Sequence, residues 1–473
     1  MEDHIITDKG KQNWLITIVS LTVFMFTLDY SMLNISLPVI ANFYGANIGI
    51  VSRLPLAYLL VVTSTVLLFG RLGDIASFKK IFVWGLGVFI AGTFICGLAP
   101  TLNTLLAFRI FQCLGEAMFS PMGIAIVTTF LPDSAKGKAL GLMATAQGLG
   151  FCLGPILGGF INDHIGWHNI FFVNIPVGIL ALMAALKVIP SNQPMPESKR
   201  VDLPGAVLIF ISLSTLIFAL NSIAKLGLKN NIIISCFVVS AAAMGIFIMT
   251  EKRTSSPILD LSLFRNPDFT FATISALCTV FVYMGLIFLL PFYFSMVRGM
   301  DIVHSGLLLM IPAIMVVIFA PIAGKISDMI GSRLICSAGI GLTTLAFLIF
   351  SILTPKSPVI CVIPSLILAG VAIGFFLPAN NKLVMVHAPS DKQGMASAVY
   401  KILNSIGGVF GIAILPLVLM SKIYKTAALE HVNIAAARHS PEILIAGFNA
   451  AFQFAMFVCV AGLAATIMAK DKK

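Results

Sequence analysis

Asp29, Arg109 and Glu116 are the residues with which this chain could do chemistry, because each interrupts a long apolar stretch. An ionisable side chain at the centre of a membrane helix costs about 2.5–3.5 kcal/mol on insertion scales and marks ion or substrate pathways. With a rise of about 1.5 Å per residue, Asp29 is expected about 12 Å below the outer end of its helix. Arg109, on a helix running the other way, is expected about 8 Å below the same surface, so the two can couple. Glu116 shares nearly the helix face of Arg109 about 10 Å deeper. A desolvated carboxylate holds its proton more tightly, and a nearby arginine loosens it. A site that opens and closes would switch that balance. Asp29 is therefore assigned as the proton carrier, Arg109 as its tuning charge, and Glu116 as the contact for a cationic substrate or as a second proton site. The competing reading is a static ion-pair network that holds two helices together.

The elements that must position these residues are membrane-spanning helices. Of 473 residues, 59% are hydrophobic and 10% charged, against roughly 25% charged in soluble domains. So little charge excludes a cytosolic globular protein, a disordered chain and a nucleic-acid binder, despite a net charge of +11. Runs of bilayer-crossing length recur at 14–37, 54–73, 81–98, 104–126, 138–161, 168–189, 204–224, 231–250, 270–295, 304–324, 333–353, 358–380, 395–420 and 447–469. The short alternating segments of a β-barrel are absent. The first run is too long for a signal-peptide core and is kept as a retained helix. The expected fold class is an all-α polytopic protein with 14 transmembrane helices, surrounded by the lipid bilayer of the cell membrane. With the N-terminus in the cytoplasm, twenty of the 30 Lys and Arg fall on cytoplasmic loops, as the positive-inside bias requires. An even number of spans puts both termini there.

Self-comparison uncovers a repeat. Gly70-Arg-Leu-Gly-Asp74 closes the second span and Gly324-Lys-Ile-Ser-Asp328 the tenth. Pro121, Pro132 and Gly137 share their spacing with Pro378, Pro389 and Gly394, while Gly150 and Gly154 fall on Gly407 and Gly411, and Pro38 on Pro291. The expected organisation is a tail (1–13), a six-helix bundle (14–189), a linker with two inserted helices (190–269), a second six-helix bundle (270–469) and a tail (470–473). Parallel six-helix halves with a substrate site near the midplane are the architecture of major facilitator transporters. A channel would need a polar pore stripe or filter, and neither is present.

Six motifs in order carry a family resemblance: Leu28-Asp-Tyr-Ser-Met-Leu-Asn-Ile-Ser-Leu-Pro38, Gly70 to Lys80, Arg109-Ile-Phe-Gln-Cys-Leu-Gly115, Gly150-Phe-Cys-Leu-Gly-Pro-Ile-Leu-Gly-Gly159, Gly166-Trp-His-Asn-Ile-Phe-Phe-Val-Asn-Ile-Pro-Val-Gly178 and Arg200-Val-Asp-Leu-Pro-Gly205. The chain resembles the fourteen-helix drug:proton antiporter family of the major facilitator superfamily. The resemblance implies a 6+2+6 arrangement, export by antiport, a cytoplasmic gate at Gly70, Asp74, Lys79, Lys80, Gly324, Asp328 and Arg333, and an antiporter motif at Gly150, Gly154, Pro155, Gly158 and Gly159. Departures are also plain. Ile75 and Phe78 stand at positions where the family is basic and Ser77 where it has glycine, so Asp74 with Lys79 and Lys80 is expected to form a weaker latch. Cys113 replaces a glycine, which puts close helix packing there in doubt.

Gly150, Gly154 and Gly158 recur every four residues and line one helix face, where another backbone can approach closely; Pro155 removes a hydrogen bond and permits a bend. Substrate-cavity candidates are Asn34, Gln112, Glu116, Gln147, Tyr283, Tyr293, Asn380 and Asn404, among Phe and Met side chains that re-pack around a loose amphipathic ligand. Lys382 and Lys401 read as snorkelling to the interface, and His164 and His168 as turn residues. The eight Cys and seven His show no metal-ligand spacing, so no metal is expected. With no G-x-S-x-G, H-E-x-x-H or G-x-x-x-x-G-K-[ST], neither an enzyme nor an ATP-driven pump is expected, and no cofactor. The reading is a proton-coupled exporter of amphipathic molecules, driven by the proton gradient. The alternatives are a dedicated exporter of one metabolite and, in another class, a non-transporting membrane sensor.

Overall fold

The structure is a computed structural model that describes residues 6–190, 203–227, 230–253, 261–354, 357–389, 393–429 and 440–470. Among the described residues there are sixteen α-helices and no strand. They are α1 (Lys9–Phe43), α2 (Ile48–Val51), α3 (Arg53–Ile75), α4 (Phe78–Gly97), α5 (Leu102–Phe130), α6 (Asp133–His164), α7 (Asn169–Phe172), α8 (Asn174–Val188), α9 (Leu203–Leu226), α10 (Asn231–Arg253), α11 (Pro267–Phe292), α12 (Ile302–Ile330), α13 (Ser332–Ile352), α14 (Ile363–His387), α15 (Gln393–Leu429) and α16 (Pro441–Met468). A backbone in hydrocarbon must satisfy its own polar groups, which is why the apolar runs close into helices. Thirteen described spans are long and apolar enough to cross a membrane; the remaining predicted run falls on α9, where the qualifying stretch, Val207–Leu220, is shorter.

Helix ends follow local chemistry. Thr101 and Thr104 form a reciprocal capping box on α5, Asn266 caps α11 ahead of Pro267, and Gly331, at φ 98°, stops α12. Outside the membrane segment, Asp301 caps α12, and hydrogen bonds from the backbone N–H and ring of His304 hold its carboxyl below the usual range. Two run ends move. Pro38, just beyond the run expected to end at 37, lies inside α1, as Pro291 lies inside α11, and a π turn (Tyr293–Val297) follows α11. α15 continues to Leu429, past the run expected to end at 420, because Ile423 and Ala427 are buried and a Cβ built on Gly447 of α16 would lie 2.7 Å from Ile423. Residues 430–439, and Arg200, Val201 and Asp202 of the linker motif, lie outside the described residues.

The chain divides into two compact units, one of Met1–Gly45, Arg53–Phe210 and Thr254–Ser256, the other of Ala46–Ser52, Ile211–Arg253 and Pro257–Lys473. The division runs through α9, and α2 groups with the second unit. Within that unit, α9 and α10 are stapled by Ser212 Oγ donating to the Ser240 carbonyl (3.0 Å) and Ser240 Oγ to the Ser212 carbonyl (2.8 Å).

Inside the first unit the glycine stripe of α6 packs on α1. A Cβ on Gly150 or Gly158 would lie 2.9 Å from Thr27 Cβ and 2.6 Å from Ile35 Cγ2, and one on Gly154 would collide with Ser31 Cβ. Thr27, Ser31 and Ile35 recur at the same four-residue spacing, so the two helices mesh turn by turn. The second unit repeats the device: a Cβ on Gly407 would lie 2.5 Å from the Leu277 carbonyl of α11, and on Gly411 closer still to that of Phe281. Close approach of α4 and α5 comes from Gly85 and Gly115, whose built Cβ atoms meet the opposite backbone at 2.8 and 2.4 Å. That answers the doubt raised by Cys113, which packs instead with Tyr30, Tyr58 and Val61.

Gly154→Val should overpack the α1–α6 seam and lower stability by about 1–3 kcal/mol. Gly141→Ala, with nothing within 4 Å of its Cβ, should leave the melting temperature of the purified protein unchanged.

Candidate functional site

Five helices of the first unit converge on a buried polar network. Asp29 comes from α1, Thr93 from α4, Arg109, Gln112 and Glu116 from α5, Tyr58 from α3 and Asn174 from the start of α8. Arg109 is 0% exposed and Asp29 2%. Arg109 Nη1 donates to Asp29 Oδ2 at 2.5 Å and to Gln112 Oε1 at 2.6 Å. The other carboxylate oxygen of Asp29 accepts from Gln112 Nε2 at 3.1 Å and from Asn174 Nδ2 at 3.5 Å. Gln112 Nε2 also donates to Thr93 Oγ1 at 2.7 Å. Gly92 makes that last bond possible: its missing side chain lets α5 approach until a built Cβ would lie 2.6 Å from the Gln112 Cα.

Moving a charged pair out of water costs several kcal/mol per ion unless geometry and additional hydrogen bonds return it. Here Asp29 has three donors, and the guanidinium has one carboxylate, one amide oxygen and two aromatic faces. The Tyr58 ring centroid is 5.3 Å and that of Phe171 6.0 Å from the Arg109 Cζ. Cation–π contacts of this kind contribute about 0.5–2 kcal/mol, more as water is excluded. Arg109 Nε and Nη2 have no hydrogen-bond partner among the described residues.

Glu116 lies two turns further along α5 and accepts a 2.5 Å hydrogen bond from the Tyr58 hydroxyl. The structure thus brings Asp29, Arg109 and Gln112 into direct contact and joins Glu116 to them through Tyr58. Gln112, expected to line a cavity, is spent on the ion pair. Thr93, Asn174 and Tyr58 were not singled out from the sequence for this role. Asn174 falls within the Gly166–Gly178 motif and Thr93 is a polar interruption of an apolar run, but only the fold shows what they face. A buried acid on α10, Glu251, was also missed, because it stands at the end of its run.

Of the remaining candidates, Asn34 and Gln147 belong to the first unit and Tyr283, Tyr293, Asn380 and Asn404 to the second. Asn34 is buried and donates to the Tyr30 carbonyl of its own helix (3.0 Å), while Gln147 is exposed on α6. Tyr283 is half-buried on α11 and Asn404 on α15. Tyr293 is fully buried, with Phe448 and Phe452 at 5.4 and 6.1 Å and Arg298 Nε donating to its hydroxyl at 3.0 Å. Asn380 clamps α14 to α11 by donating to the Ala272 carbonyl and Ser275 Oγ, both at 3.0 Å. Tyr293 and Asn380 thus both take part in packing the second unit.

In the gate motifs, Gly70 lies within α3, where a built Cβ would be 3.9 Å from that of Pro121, Lys79 is half-buried and Lys80 exposed; the Asp74 side chain lies outside the described residues. Gly324 is open, Arg333 sits in the first turn of α13, and Asp328 pairs with Lys382 at 2.5 Å. Lys382 is therefore an ion-pair partner between α12 and α14, with its side chain 41% exposed. His164 and His168 stack on Phe160 and Trp167 at 4.3 and 3.8 Å, as turn residues do. Burial lowers the His168 pKa from its ordinary value.

Comparison with known proteins gives a consistent picture. The Major Facilitator Superfamily model matches residues 19–412. The chain is 33% identical over 405 residues to the riboflavin transporter RibZ of Clostridioides difficile, covering 85% of this chain and 87% of that one. It is 29% identical over 421 residues to the multidrug resistance protein Stp of Mycobacterium tuberculosis, covering 88% and 77%. In fold it is similar to a bacterial homologue of the human lysosomal transporter Spinster, with a TM-score of 0.70 at 15% identity over 97% of this chain and 98% of the other.

Removing one member of the buried pair should be far worse than removing both. Asp29→Asn or Arg109→Gln alone should destabilise the protein by about 3–5 kcal/mol. In the double substitution the loss should be clearly smaller than the sum, as read by thermal unfolding in detergent.

Proposed function

The chain belongs to the major facilitator superfamily, and from that premise we propose that it is a proton-coupled exporter of amphipathic small molecules, such as drugs or lipophilic cations. It is a multi-pass membrane transporter rather than an enzyme. The single observation that carries the finer reading is the enclosed Asp29–Arg109 pair with Glu116 two turns away. Multidrug resistance among the relatives supports export, and bacterial relatives support the cell membrane as its location.

The electrostatics suit exchange. With both acids ionised, Asp29, Arg109 and Glu116 sum to −1 and attract a cation to Glu116. A proton on Asp29 brings the sum to zero. Two unit charges about 10 Å apart at an effective dielectric of about 20 interact by about 1.7 kcal/mol, so protonation would loosen a cation roughly fifteenfold. Proton and cation then exclude one another, and a proton gradient across the membrane drives the cation the opposite way by alternating access. In this proposal the chain has the six-plus-two-plus-six organisation, and no cofactor takes part.

A second reading, a dedicated exporter of one metabolite, is favoured by the 33% identity to a protein named as a riboflavin transporter. Both are tested in liposomes with a trapped pH dye, an imposed proton gradient and a panel of lipophilic cations plus riboflavin. Cation-triggered proton movement that Asp29→Asn abolishes is the expected result. Riboflavin as the sole active compound would favour the second reading. Flux without protons, equal in both proteins, would remove proton coupling altogether.

A further inference from the structure

Arg109 and Glu116 are seven residues apart on α5, too far to pair directly, yet one side chain from another helix touches both. Tyr58, buried on α3, offers its ring to the Arg109 guanidinium at 5.3 Å and its hydroxyl to Glu116 Oε1 at 2.5 Å. Its own position is fixed: its ring lies 5.0 Å from that of Tyr30, and Cys113 and Val61 pack beside it.

We propose that Tyr58 is the positioning residue that couples Glu116 to the Asp29–Arg109 pair, so that the occupancy of one carboxylate is felt by the other. When Asp29 takes a proton, Arg109 loses its anion. The guanidinium keeps Gln112 Oε1 and the two aromatic faces, and Nε and Nη2 have no hydrogen-bond partner among the described residues to hold it in place. Any shift of the guanidinium then acts on the Tyr58 ring, and the ring carries the hydroxyl that Glu116 accepts from. The link is rigid because a tyrosine has only two side-chain torsions, and its ring transmits a displacement without absorbing it. Glu116 as the cation contact rests on the proposed function; the link itself does not.

The test is a cycle of thermal stabilities on the full-length purified protein. Asp29→Asn, Glu116→Gln and the pair are compared in the wild-type background and with Tyr58→Phe, which keeps the ring and removes only the hydroxyl. With Tyr58 present, the two substitutions should be non-additive by at least about 2 °C more than with Tyr58→Phe, where only the direct charge–charge coupling is left. Equal non-additivity in both backgrounds would overturn the proposal. If Asp29→Asn does not fold, Gln112→Leu, which removes a donor to Asp29, takes its place in the same cycle with the same two outcomes.

Binding of tetraphenylphosphonium separates this from the functional reading. In wild type, Asp29→Asn should change its affinity by about a hundredfold or more, and with Tyr58→Phe by only the roughly fifteenfold that the charge arithmetic alone gives. An equal change in the two backgrounds would count against the link. A working stability cycle with no binding of the cation would leave the link standing and remove the cation-exporter reading.

Discussion

A fully enclosed arginine sets the terms for the rest of the first unit. Its charge cannot be neutralised by losing a proton, so the fold must keep a carboxylate beside it. It must also orient that carboxylate, and leave no room for water to do the same work cheaply. Each requirement recruits another helix: α1 for Asp29, α4 for Thr93, α8 for Asn174, and α3 and α7 for the Tyr58 and Phe171 rings. The glycines are the steric counterpart of the same demand. Without Gly92 the Gln112 amide could not reach Thr93, and without the α6 stripe α1 could not sit so close to its neighbour.

The second unit shows what the repeat looks like when that charge is absent. At the offsets that align the two halves, Val282 stands for Asp29, Leu366 for Arg109, Ala369 for Gln112 and Ile373 for Glu116, all buried. The backbone contacts survive: Gly407 and Gly411 meet α11 as Gly150 and Gly154 meet α1. One architecture thus carries a charged interior in one copy and an apolar one in the other. Asn380, buried in the second unit, bridges α14 and α11 through neutral groups.

Much of this was legible in the sequence because membranes restrict the options. Apolar runs of bilayer length have to be helices, a charge inside one has to have a purpose, and a four-residue glycine period has to define a face. Helical rise alone put Asp29 and Arg109 at one depth. What could not be read was lateral: periodicity gives the face of a helix but not the neighbour it meets. Tyr58, Thr93 and Asn174 are ordinary residues until four other helices surround them. Nor does periodicity say that Tyr293 meets Phe448 and Phe452, that Asn380 reaches α11, or that Lys382 pairs with Asp328. Pro38 misled in a different way, since it suggests a helix end whereas α1 runs on to Phe43.

Rigid seams and a switchable charge set are complementary in a carrier. Packing through glycine is short-range and steep, so α1 and α6 resist sliding against one another and Asp29 keeps its place on a fixed backbone. Electrostatic energy falls slowly with distance, so the addition of one proton is felt two helical turns away without any repacking. A network held by stiff backbone contacts but balanced by charge can therefore change state at small structural cost. The aromatic faces against Arg109 serve that balance, because a cation–π contact keeps some stabilisation of the guanidinium when Asp29 is neutral without adding a second anion that would lock it.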